Sequence, residues 1–106
     1  MSEEKNLDLF RALIHSFHLQ TMMQLGKIHN PMTNKIERDL GQAEISIDMV
    51  EMLKNKTAGN LDESETRFID AVLAELKLNY VNEKNKESAG ASELPSQDSA
   101  SSEENK

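Results

Sequence analysis

The stretch Leu25-Gly26-Lys27-Ile28-His29-Asn30-Pro31, followed by Asp39-Leu40-Gly41-Gln42-Ala43 and closed by Lys56-Thr57-Ala58-Gly59-Asn60-Leu61, decides the fold. It holds a helix stop, a connection, a helix start and a second stop. Asn30-Pro31 signals a turn, because proline offers no amide donor and pushes the residue before it out of helical geometry. Asp39, with Gln42 three residues on, reads as the N-cap of a capping box. Gly59 is placed for the left-handed residue that ends a helix, and Lys54 and Lys56 suit the negative end of the dipole. Between these signals, residues 39–57 read as a helix. Leu40, Ala43, Ile47, Val50 and Leu53 form one apolar face. Ile45, Met49 and Met52 form another, with Glu44, Asp48 and Glu51 along the edge between. A helix with two apolar faces lies between neighbours.

The flanks read the same way. Residues 7 to about 26 form a first helix, capped by Asn6 or Asp8. Its stripe Phe10, Leu13, Ile14, Phe17, Thr21 and Leu25 is opposed by a second one, Leu9, Ala12, Ser16, Leu19, Met23 and Gly26. The connection 27–38 is long enough to be packed, with Ile28, Met32 and Ile36 expected to tuck against the helices. Asp62 and Glu65 are a second capping-box pair and open a third helix over 62–81. That helix has one apolar face, Ile69, Val72, Leu73, Leu76 and Tyr80, and so covers the other two. Asn30, Pro31, Asp39, Gly59 and Asp62 are thus the structural punctuation of the chain.

The expected organisation is a flexible N-terminus over 1–6, a helical domain over 7–81, and a disordered acidic tail over 82–106. The tail is rich in Ser, Glu, Asn and Lys and has six acids against three bases. It holds one large apolar residue, Leu94, too little to offset the entropy of ordering. The fold class is all-α: a helical hairpin with a covering helix, expected to dimerise into a larger bundle.

A net charge of −7 argues against nucleic acid and anionic membranes, both of which select basic surfaces. The absence of Cys removes disulfides, thiolate nucleophiles and Cys-based metal sites. The polar, acidic start is no secretory signal, and no apolar run reaches the length of a membrane span, so a cytoplasmic protein is expected. No Gly-rich phosphate loop and no nucleophile elbow occurs. The expectation is a non-enzymatic protein without a cofactor.

Two residue sets remain as candidates. His15 and His18 are three apart on one helix face and could offer two imidazoles to a metal, with Glu44, Asp48 and Glu51 as possible carboxylates. Against this, no Glu-x-x-His or His-Glu-x-x-His pattern occurs, and such pairs usually edge a helix. The second set follows from the apolar surplus. Residues 7–81 hold 29 Leu, Ile, Val, Met, Phe and Tyr, and two of the three helices are apolar on both sides. Self-association, most economically a two-fold dimer, covers the surplus; a different protein partner is the alternative. The interface candidates are Leu19, Met22, Met23, Ile45, Met49 and Met52. The leading function is therefore a helical interaction or assembly module, with a small metal- or ligand-binding protein at His15 and His18 as runner-up.

Several motifs, in order, are similar to one family: Leu25-Gly26-Lys27-Ile28 with Asn30-Pro31, Asp39-Leu40-Gly41-Gln42-Ala43, Ile47-Asp48 with Glu51-Met52-Leu53, Lys56-Thr57 with Gly59-Asn60-Leu61, and Leu76-Lys77-Leu78-Asn79-Tyr80. Over roughly residues 9–82 the chain resembles a bacterial family of small proteins known as domain of unknown function 1844. It departs at His29, where the family carries proline, and at Asn34, where glycine is common. The resemblance implies a small helical protein and carries no activity or site residue.

Overall fold

The computed structural model describes residues 2–93, with side chains as far as Glu87. It contains three helices: α1, Glu3–Gln24; α2, Leu40–Lys56; and α3, Glu63–Glu93. Among the described residues there is no strand, only an isolated bridge between Asn30 and Lys35. The all-α reading and the order of its elements hold.

Helix α1 begins four residues earlier than its apolar stripe suggests. Ser2 is the N-cap and accepts from the Lys5 amide at 3.1 Å, with Glu3 and Glu4 in the first turn at the positive end of the dipole. Residues 3–6 are therefore helical and not a flexible lead-in, and neither Asn6 nor Asp8 caps the helix. At its C-terminus Gly26 takes φ +80°. The Gly26 amide donates to Met23 O and the Lys27 amide to Met22 O, the paired bonds of a Schellman stop.

Helix α2 is capped by Asp39, whose carboxylate accepts from the Gln42 amide at 3.1 Å. The other half of the expected box is replaced. The Asp39 amide donates to Gln24 O at 2.7 Å, which ties the start of α2 to the end of α1. Gly59 ends the helix region at φ +89°. Helix α3 opens with the full reciprocal box: Asp62 Oδ1 accepts from the Glu65 amide at 2.8 Å and Glu65 Oε1 from the Asp62 amide at 2.9 Å.

The helices run up, down and up. Arg11 Nη2 donates to Ser64 Oγ and His18 meets Glu75, so α1 and α3 are parallel. Gln20 meets Ser46, while Lys54 pairs with Asp70 and Tyr80 with Glu44, so α2 is antiparallel to both. Ile14, Ile47, Val50, Ile69, Val72, Leu73 and Leu76 form the core, with Phe10, Phe17, Met22, Leu53, Leu61, Phe68 and Tyr80 packed around it. The expected inner faces of all three helices pack here, apart from Leu13.

Two expectations fail. The third helix does not stop near residue 81: α3 continues to Glu93. The remainder of the expected tail, 94–106, lies outside the described residues. In the connection, Ile28, Met32 and Ile36 do not tuck in. All three are exposed, Met32 at 90%. The connection is instead ordered by its polar groups. The Asn30 amide donates to Lys35 O at 2.8 Å, its carbonyl accepts from the Asn34 amide at 2.7 Å, and its side-chain oxygen accepts from the Met32 amide at 2.8 Å. Asn34 takes φ +58°, the left-handed conformation that Asn tolerates better than other non-glycine residues.

Candidate functional site

The side of α1 and α2 turned away from α3 carries six exposed large apolar side chains. On α2, Glu44, Glu51 and Lys54 pair with α3. Ile45, Met49 and Met52 fall on the far side of the same helix, each between 43 and 47% exposed. On α1, Arg11 and His18 reach α3, and Leu9, Leu13 and Leu19 point elsewhere at 43–49% exposure. Met23 is half-buried beside them. Between Leu9 and Gln24 the only charged or imidazole side chains are Arg11 and His18, which reach α3, and His15, which lies one turn before Leu19. Asp48 and Lys56 mark its rim on α2.

One expected interface residue, Met22, and one residue of the expected inner stripe, Leu13, fall elsewhere. Met22 lies four residues after His18, on the α3 side, and packs on the core. Leu13, assigned to the buried stripe, is instead half-exposed. Leu9 and Leu13 therefore join Leu19, Met23, Ile45, Met49 and Met52. At the loop end the surface runs into an open cleft of about 420 Å³ lined by Gln20, Met23, Gln24, Asn30 and Glu37.

The polar groups on this side are already partnered within the chain. Ser16 Oγ donates to Ala12 O at 3.0 Å. Gln20 Nε2 donates to Ser46 Oγ at 3.2 Å, and Ser46 Oγ donates to Gln24 Oε1 at 2.7 Å. Ser46 is buried in the α1–α2 seam. Polar groups paired in this way can lose water at small cost.

A second cluster sits where the extension of α3 meets the connection. Glu83 is 7% exposed. Its carboxylate pairs with Lys27 Nζ at 2.8 Å, Arg38 Nε at 3.1 Å and Lys86 Nζ at 3.1 Å. Arg38 Nη2 also donates to Glu83 O at 2.9 Å. Burial pushes the Glu83 carboxyl upward, but hydrogen bonds and charge from Lys27 and Lys86 outweigh it and hold the group below its usual 4.5. The Arg38 side chain lies against Gly26, where an added Cβ would meet it at 3.2 Å. Glu83 continues the Ile69, Val72, Leu76, Tyr80 stripe by one more turn. That spacing was the available signal for it, hidden by the polar composition around it.

The histidine pair does not build a metal centre. His15 and His18 have ring centroids 6.3 Å apart, and His18 Nε2 lies 3.1 Å from Glu75 Oε2. Glu44 and Glu51 are occupied on the α2–α3 seam. Among the described residues no three His, Asp or Glu side chains gather where a metal could be held. The described helices also include none long and apolar enough to cross a membrane.

The family model described as Domain of unknown function (DUF1844) matches residues 7–82, nearly all of the helical bundle. The chain belongs to the DUF1844 family. The DUF1844 match ends one residue before Glu83, so the anion of the clasp lies just outside it, and Lys27 and Arg38 lie within it. No curated protein and no solved structure matches the chain.

Proposed function

We propose that this DUF1844 protein is a non-enzymatic interaction module that works through the outer side of α1 and α2. The observation that carries the reading is the exposed set Leu9, Leu13, Leu19, Ile45, Met49 and Met52, uncharged on a chain of net charge −7. Covering the exposed half of each such side chain is worth roughly 1 kcal/mol. Six of them together rival the net stability of a small domain, about 5–15 kcal/mol. Single exposed apolar residues are ordinary on protein surfaces; a contiguous patch on two adjacent helices marks an interaction site. The pairing of Ser16, Gln20, Ser46 and Gln24 within the chain supports the same reading, since burial would strand few polar groups.

The test is site-directed photo-crosslinking in living cells. A photoreactive residue at Met49 is expected to give a discrete protein adduct. The same residue at Leu78, on the outside of α3, is expected to give none. Absence of any adduct at Met49 would remove the reading.

A further inference from the structure

The occupant of this surface can be named from its pattern. We infer that it is a second copy of this chain, packed about a two-fold axis that passes close to Ser16, with the two α1 helices antiparallel. The inference rests on the reading of the outer side as an interaction surface and adds the identity and geometry of the partner.

A two-fold interface must be complementary to itself. In an antiparallel pair of helices, a residue n positions before the axis meets the residue n positions after it on the other copy. Ser16 is small and central. Leu13 stands three before it and Leu19 three after; Leu9 stands seven before and Met23 seven after. Leu13 therefore meets the second copy's Leu19, and Leu9 its Met23, so each large apolar side chain finds a large apolar counterpart. Ala12 meets Gln20. On α1 Leu13 and Leu19 flank Ser16 on either side of this face, and Leu9 and Met23 continue it two turns each way. Ala12 and Ser16 at the crossing let the axes approach to roughly 8 Å. The Ser16 hydroxyl, satisfied by Ala12 O, needs no partner there.

Charge favours a second copy as well. Two acidic chains repel wherever their ionic surfaces meet. This side of α1 carries no carboxylate from Leu9 to Met23, so it is where copies can approach without opposing like charges. Ile45, Met49 and Met52 then lie beside the seam and cover the neighbouring α1, making a four-helix layer from two hairpins. Residues 94–106 do not suffice as a cover, because they contain a single large apolar residue, Leu94.

Sedimentation equilibrium of the full chain at micromolar concentration, together with oxidative crosslinking, tests the arrangement. The expected mass is about twice 12.0 kDa. Leu19→Glu and Met49→Glu are each expected to weaken association by at least ~100-fold while leaving the helical circular dichroism intact. Because the chain has no Cys, Ser16→Cys introduces the only thiol. It is expected to give a covalent dimer on mild oxidation, and Leu78→Cys is expected not to. A monomer at all concentrations, a dimer insensitive to both glutamates, or crosslinking through Leu78→Cys in place of Ser16→Cys overturns the inference. A monomer whose Met49 photo-adduct is a different protein overturns the second copy and leaves the interaction surface standing. A monomer with no adduct overturns both.

Discussion

Glu83 gathers three cationic side chains from three places in the chain, and its removal should be felt well beyond its own turn. Glu83→Gln keeps the shape but leaves Lys27 and Arg38 without their anion. A loss of about 2 kcal/mol is expected in urea unfolding at neutral pH. The pH dependence has a definite sign. A carboxyl held below its usual value of 4.5 stabilises the fold above that value, where the unfolded chain is also ionised. That contribution is lost as pH falls through the lower folded value. The stability gap between the natural chain and Glu83→Gln should therefore shrink as pH falls below about 4 and not widen. A gap that stays constant to pH 3 would show that the carboxylate charge contributes nothing. Gly26 sets a second residue-scale expectation. An alanine there must adopt φ +80° and press on Arg38, so Gly26→Ala should cost about 1–2 kcal/mol, readable in the same denaturation series.

At the scale of elements, the inner starts and stops were legible and the outer ends of α1 and α3 were not. Asp39, Gly59, Asp62 and Gly26 could be read because caps use particular residue types at fixed offsets. The helix ends escaped because periodicity is visible only where apolar residues repeat. Residues 3–6 and 82–93 hold none of the large ones, and those turns are carried by a Ser2 cap at one end and the Glu83 contacts at the other. The exposure of Ile28, Met32 and Ile36 was not readable either, since no repeat links a loop side chain to a face. The outer apolar surface was mostly legible through the second stripes of α1 and α2. Leu13 and Met22 were misplaced because each lies at a stripe edge, where a small rotation decides between core and surface. Truncation separates these views. Chains ending at Asn82 should melt several degrees lower than chains ending at Glu93, since only the former lose the clasp. Equal melting temperatures would return residues 82–93 to a dispensable role.

For the whole molecule, the ionic and polar side chains of α1 and α2 turn towards α3, and the exposed apolar side chains of these two helices turn away from it. Arg11, His18, Glu44, Glu51 and Lys54 all engage α3. Self-association of the proposed kind should make thermal stability depend on protein concentration, because the partner binds only the folded chain. Added salt should not weaken it, since the surface holds no ion pairs to screen and the chain's net charge of −7 repels its copy less at high ionic strength. A melting temperature that is independent of concentration over a hundredfold range would argue against it. The clasp also has a consequence in time. Lys27 and Arg38 are made long before Glu83, 45 positions after Arg38, so this long loop closes after the local turns have formed. Contacts made on the native side of the barrier act on the rate of escape and not on the rate of entry. Glu83→Gln should accordingly leave refolding rates nearly unchanged and speed unfolding, making the end of α3 the bolt that sets how long the folded chain stays shut.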